Sequence, residues 1–296
     1  MEDNKAIGAI IEDTYISAGL VNLETGKIVE NSLRRRKIDP KSPKEVLISS
    51  WANVLKEVAV YSENRDLKLG LGILGPCDYR TGVFLSNDPA RYGSLFNSNV
   101  KELLAKELEI SPSVIRLISD SVCFFQGEVF GGAVRYYERS FGVTLGIGLG
   151  SAFYLNGKVV DANLWSAPFK EGIAEEFLSI RYLLKRFKDL SGIEVKDLAE
   201  MKTFDSSLYV QRVFDEFADN LSDFLGEVIA TQNPEAIVIG GNMQASNRIF
   251  FDRLIANLKS KNYTTPVFRT YLGEVATVIG AASVWKDQNL LDKDSY

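Results

Sequence analysis

The spacing of apolar and polar residues changes several times along the chain, and each change marks an element. Residues 6–11 form an unbroken apolar run, and residues 14–22 alternate, which predicts two strands turning at Glu12-Asp13. A second turn at Glu24-Thr25-Gly26 leads to a third strand over residues 27–30. Val46, Ile48, Trp51, Val54, Leu55 and Val58 then recur at helical spacing. Ser42 is the expected cap of that helix, with Pro43 as its first residue and Glu45 as its third. Residues 69–74 read as a buried strand, and residues 82–86 as a further extended piece. Asn97 or Ser98 is expected to cap a helix carrying Val100, Leu103, Leu104 and Leu108. A strand over 114–118 and a helix over 122–136 complete the first half.

The second half repeats the first. A three-strand meander over 143–160 precedes helices near 173–187 and 209–232, a buried strand over 236–239, and helices over 247–259 and 280–285. A meander followed by αβ units, occurring twice, predicts two similar α/β lobes with a cleft between them. Ligands of open α/β sheets lie beyond the carboxyl ends of strands, so the loops after residues 74, 118 and 239 are the expected sites.

Within this repeat, residues 143–157, V-T-L-G-I-G-L-G-S-A-F-Y-L-N-G, stand out. Gly146, Gly148 and Gly150 alternate with apolar residues and leave one strand face almost bare. Such glycines mark a close approach by a ligand or by another stretch of backbone. Two readings fit: a tightly packed hairpin, or a hairpin whose N–H groups line an anion pocket.

Composition narrows the chemistry. The chain has 296 residues and a net charge of −5, which disfavours nucleic acid as a partner. Its one basic run, Arg34-Arg35-Arg36-Lys37, reads as a solvated loop. It has no histidine and two cysteines, Cys77 and Cys123, so neither a Cys/His zinc site nor a disulfide framework is implied. Acid–base chemistry then falls to carboxylates or lysine. No apolar run suggests a signal peptide or a membrane span, so a cytoplasmic protein without a membrane partner is expected.

Taken in order, the motifs resemble those of the ROK (repressor, open reading frame, kinase) family of sugar kinases. Thr144-Leu145-Gly146-Ile147-Gly148-Leu149-Gly150 is similar to the family's second phosphate motif. Gly75-Pro76 falls at its V-P-G-P strand end, Ser86-Asn87 at Pro-Asn, and Ser119-Asp120 at Asn-Asp. Gly172-Ile173-Ala174-Glu175 resembles Gly-Cys-Leu-Glu, and Ile239-Gly240-Gly241-Asn242 the adenosine motif. The resemblance implies a duplicated α/β fold of the actin/hexokinase (ribonuclease H-like) type. Residues 1–118 would form one lobe, with a terminal helix over 283–296 packing back on it, and residues 119–282 the other.

The resemblance also implies roles. Asp120 would be the base that takes a proton from a sugar hydroxyl as that hydroxyl attacks ATP. Asn87, Ser119, Asp120 and Glu175 would bind a hexose or N-acyl-hexosamine, and Asn163, in a loop that departs from the family, is a further candidate for sugar contact. Thr14, Thr144, Gly146 and Gly148 would face the phosphates, and Gly240 and Gly241 would make room for adenosine. Plainer readings stand beside these: Asp120 as a helix cap, Asn87 as a turn former, Gly240-Gly241 as a strand-to-helix turn. A homodimer is a further expectation from the family.

The departures fall in the chemistry. The first phosphate motif, D-x-G-G-T, aligns with Ile10-Ile11-Glu12-Asp13-Thr14, so an isoleucine stands where an aspartate would hold Mg²⁺ water, and two acids replace glycines. Like charges would repel an ATP tail there. The family's E-x-G-H motif and cysteine-rich zinc loop are replaced by residues 161–170, which include Asn163 and Trp165. No zinc is expected, and ATP with Mg²⁺ is in question. A sugar kinase with weakened or lost activity and a non-catalytic sugar- or nucleotide-binding module are therefore the two expectations. No segment resembling a helix-turn-helix precedes the first strand.

Overall fold

The computed structural model describes residues 4–12, 14–62, 67–88, 92–204, 207–241, 243 and 247–286. Contacts divide the chain into two compact units, Met1–Arg135 with Glu274–Tyr296, and Tyr136–Gly273.

The first unit opens with strands β1 (Lys5–Ile11), β2 (Tyr15–Asn22), β3 (Lys27–Ile28) and β4 (Arg34–Lys37). Helix α1 (Lys44–Ala59) leads to β5 (Leu69–Ile73), and a short ribbon of β6 (Cys77–Asp78) and β7 (Val83–Phe84) precedes α2 (Val100–Leu108). Strand β8 (Ile115–Ser119) and helix α3 (Asp120–Gly131) follow. The sheet runs in the order β3-β2-β1-β5-β8, with β4 also pairing β2. β1 pairs β2 antiparallel and β5 parallel, and β5 pairs β8 parallel. One sheet face follows the two-residue period of a strand: Ile7, Ala9 and Ile11 join Leu47, Trp51 and Leu55 of α1 and Leu104 of α2 in a buried core.

The second unit repeats this order. Strands β9 (Ser140–Leu145), β10 (Leu149–Leu155) and β11 (Lys158–Asp161) form the meander. A small ribbon of β12 (Pro168–Phe169) and β13 (Gly172–Ile173) follows, then helices α4 (Ala174–Phe177), α5 (Ile180–Ser191), α6 (Leu198–Lys202) and α7 (Leu208–Gln232). Strand β14 (Ala236–Gly240), helix α8 (Asn247–Ser260) and β15 (Val267–Arg269) close the unit. Its sheet order, β11-β10-β9-β14-β15, matches that of the first sheet strand for strand. Its core is aromatic: Phe141 on β9 packs with Phe214, Phe217 and Phe224 of α7 and Phe250 of α8.

The chain then returns to the first unit as α9 (Ala276–Ser283). It covers the other face of the first sheet together with α3, and glycines let backbone meet backbone. A Cβ on Gly8 would lie 1.9 Å from the Val278 carbonyl oxygen, and one on Gly280 1.7 Å from that of Cys123. This packing keeps α3 with the first unit, so the division falls after Arg135 and not at residue 118. The helix expected over 283–296 overlaps the end of α9, and residues 287–296 lie outside the described residues.

Several local expectations are corrected. Pro43, not Ser42, precedes α1, and no side chain caps it; the Ser42 carbonyl instead accepts from Ser94. Asn99 caps α2 through its 3.1 Å bond from the Glu102 N–H. The helix expected over 173–187 breaks at Leu178–Ser179, where Ser179 caps a new helix. The basic run is strand β4, held by ion pairs of Arg34 and Arg36 to Glu57 and of Arg35 to Glu274. Asn156 and Gly157 both take positive φ, 53° and 80°, as the hairpin signal requires.

Candidate functional site

Each unit presents its own set of candidate residues at the carboxyl ends of its parallel strands. In the first unit, Ile11, Ile73 and Ser119 lie in one row of the sheet. At ~4.8 Å per strand, the chain leaves β1 and β8 about 10 Å apart. Glu12 and Thr14 emerge from one of these ends and Asp120 from the other.

Ser119 caps α3. Its hydroxyl accepts from the Val122 N–H at 3.4 Å and lies 3.2 Å from the Ser121 hydroxyl. Asp120 is therefore the first residue of the helix and not its cap, which corrects the plainer reading. The residue is partly exposed, in the first turn of a twelve-residue helix. One turn on, Cys123 is fully buried; burial first, and the charge of Asp120 second, push its thiol well above the usual range. Cys77 is likewise pushed up to about 12 by burial and by Asp78. Both cysteines are thus held as thiols, unsuited to nucleophilic work.

Thr14 is exposed at the β1–β2 turn, its carbonyl accepting from the Ile38 N–H at 2.8 Å. Asn87 is exposed in the segment after β7. That segment is tied to the turn, because the Tyr92 hydroxyl donates to the Glu12 carbonyl. The Glu12 carboxylate faces Arg35 of β4 at 3.8 Å, and Arg35 also binds Glu274 at 2.6 Å. Asp13 lies outside the described residues. Ile10 is 3% exposed. Its Cδ1 and the Cys123 sulfur lie 2.6 and 2.5 Å from where a Gly72 Cβ would stand, so together they fill the space over that glycine.

In the second unit the glycine stretch is a hairpin between β9 and β10, closed by the Leu145–Leu149 pair. The Gly146 N–H donates to the Gly148 carbonyl at 3.0 Å, and the Gly146 carbonyl accepts from the Ile180 N–H at 2.7 Å. Thr144 pairs in register with Gly240 at the end of β14. Gly241 follows at φ 95°, where a Cβ would lie 2.4 Å from the Leu145 carbonyl oxygen. Thr144, Gly146, Gly148, Gly240 and Gly241 are thus brought together. Asn242 lies outside the described residues.

Glu175 belongs to this cluster. One carboxylate oxygen accepts from the Leu149 N–H at 3.0 Å, and the other is ion-paired with Arg181. Arg181 carries no motif, and sequence reading misses it because it assumes one continuous helix. Six residues apart on a single helix, 175 and 181 point away from each other; the break at Leu178–Ser179 turns them together. Asn163 is exposed and left-handed, at φ 51°, before a single helical turn over 164–166. Trp165 on that turn is 46% exposed. Beyond the stretch that replaces the zinc loop, the β12–β13 ribbon is packed by Phe169 against Phe177 and Phe224, and the Lys170 ammonium donates to Asn220.

The ROK family model matches residues 170–288. Over 96% of its length the chain is 26% identical to a glucokinase of Thermotoga maritima, covering 98% of that protein. It is 22% identical to an N-acetyl-D-glucosamine kinase of Pectobacterium carotovorum, over 80% of this chain and 83% of that one. The solved ROK family glucokinase from Streptomyces griseus, in complex with glucose and AMPPNP, superimposes with a TM-score of 0.74 at 19% identity, over 95% of this chain and 98% of that one. The chain thus carries a ROK family match over its second part and shares the fold of the solved ROK proteins. As in the ROK sugar kinases, the matching strand orders of its two units are the duplicated actin/hexokinase-type fold. Among its described residues, no helix is long and apolar enough to cross a membrane.

Proposed function

We propose that this protein is a member of the ROK family and transfers the terminal phosphoryl group of ATP to a hydroxyl of a hexose or N-acyl-hexosamine, with Asp120 as the base. The hydroxyl oxygen forms the new P–O bond, the bond to the ADP oxygen breaks, and the hydroxyl proton passes to the Asp120 carboxylate. The observation that carries the proposal is the place of Asp120, the first residue of α3 directly beyond the carboxyl end of β8, where Ser119 supplies the helix cap. The names of the relatives support the sugar class. Asn87 and Asn163 are assigned to sugar hydroxyls, Thr144, Gly146 and Gly148 to phosphates, and Gly240 with Gly241 to the adenosine side.

The side chains at the end of β1 do not fit a metal shell. Ile10 is buried and apolar where a carboxylate would hold Mg²⁺ water, and Glu12 faces an arginine. No step is assigned to a metal here. This same observation favours a second reading, a protein that binds sugar or nucleotide without turnover.

A coupled ADP-release assay with a panel of hexoses and N-acyl-hexosamines decides between them. Sugar-dependent release that falls at least about 10²-fold in Asp120→Asn supports the kinase, that being the usual weight of a general base. Thermal shifts with sugar or nucleotide but no release support the binding module.

A further inference from the structure

Gly148 lacks the Cβ that would fill the mouth of the second hairpin, and the chain's own carboxylate lies there instead. A Cβ on Gly148 would stand 2.3 Å from the Glu175 Oε2 that accepts the Leu149 N–H. The carboxylate thus meets the glycine face from the side on which an anion would meet it. Phosphate and carboxylate oxygens ask the same thing of a backbone N–H, and two anions within ~4 Å repel strongly away from bulk water. The Glu175 side chain is 22% exposed, so screening is partial, while Arg181 is 60% exposed and can turn to another partner. An arginine released from a carboxylate is well suited to a phosphate, since its planar fork matches both.

We infer that Glu175 and a phosphate group compete for the Leu149 N–H, so that Glu175 sets how tightly the hairpin takes an anion and Arg181 exchanges one for the other. This rests on the reading of the hairpin as the phosphate site. Glu175 then acts on nucleotide affinity from within its own unit, in addition to any contact with a sugar.

Calorimetric titration with tripolyphosphate, which carries neither base nor ribose, tests the competition. Glu175→Gln keeps an oxygen for the Leu149 N–H but removes the charge, and it is expected to bind about tenfold tighter than the wild type. Glu175→Ala should gain at least as much. Gly148→Ala, whose new methyl displaces only a flexible side-chain end, should bind about tenfold more weakly while its unfolding midpoint barely moves. Arg181→Gln should also weaken binding. If the wild type binds and Glu175→Gln does not gain, or Glu175→Ala loses, the carboxylate is a brace and the inference is wrong while the phosphate reading survives. Binding by none of these proteins overturns both.

Discussion

The hairpins β1–β2 and β9–β10 occupy the same place in two sheets of the same order, and they differ almost wholly in their turns. Ile11 pairs Ile16 as the last rung of one, and Leu145 pairs Leu149 as the last rung of the other. Ile10 stands beside Gly72 in register as Thr144 stands beside Gly240. One position is a buried isoleucine and its counterpart a partly exposed threonine. Past the last rung the second hairpin turns through glycines, with a carboxylate brought to it by a neighbouring helix. The first carries its acid, Glu12, on the turn itself. Each acid faces an arginine, Glu175 with Arg181 and Glu12 with Arg35. A side chain that reaches in from a neighbouring helix can exchange for a ligand; a charge built into the turn stays with it. The fold depends on the rungs, which are alike, and the chemistry on the turns, which are not.

Restoring a carboxylate at Ile10 should break this comparison at the greatest cost. The side chain fills space shared with Cys123, so Ile10→Asp removes packed methyl groups and buries a polar one, a loss of about 4 kcal/mol. Urea unfolding measures it, with an unchanged slope showing that stability alone has moved. A nearly unchanged midpoint with stronger ATP binding would mean that the end of β1 accepts the metal-holding residue after all.

Gly241→Ala comes next. Its φ of 95° disfavours any side chain, and a methyl would meet the Leu145 carbonyl, which is strand backbone and cannot swing aside. The expected cost is about 3 kcal/mol. Near-neutral Gly148→Ala beside costly Gly241→Ala would separate a glycine that admits a ligand from one that admits the protein's own backbone. Equal costs would collapse that distinction.

Much of this was legible in the sequence, for identifiable reasons. The rungs were, because Ile7, Ala9 and Ile11 and their counterparts Phe141, Val143 and Leu145 lie in short apolar stretches that end at turn residues. The β10–β11 turn was, because Asn156-Gly157 states its own backbone angles. Strand β4 was not: four basic residues carry no period, and their strand form rests on pairing with β2 and on acids far away in sequence. The cap of α3 was misread because Ser119 and Asp120 are both good caps, and only the register of β8 decides between them. The Glu175–Arg181 pair was hidden by a helix break that the apolar pattern runs straight across.

Arg35→Ala should have the smallest effect, and it probes the first hairpin directly. Arg35 lies over the Tyr15 ring at 4.6 Å, faces Glu12 at 3.8 Å and binds Glu274 at 2.6 Å, with nearly half of its side chain exposed. Exposed pairs of this kind contribute under about 1 kcal/mol, so the unfolding midpoint should move little. The electrostatic consequence is separate. Removing the cation leaves the β1–β2 turn more negative, and if an ATP tail approaches that turn, its affinity should fall about threefold at 0.15 M salt. At that ionic strength screening acts over ~8 Å, and at 1 M over ~3 Å, so the loss should fade as salt is raised. A fall that persists at high salt would point to a direct contact by Arg35 instead. No fall at either concentration would mean that only the glycine hairpin of the second unit meets the nucleotide's phosphates, and the difference between the two turns would then be one of use as well as of charge.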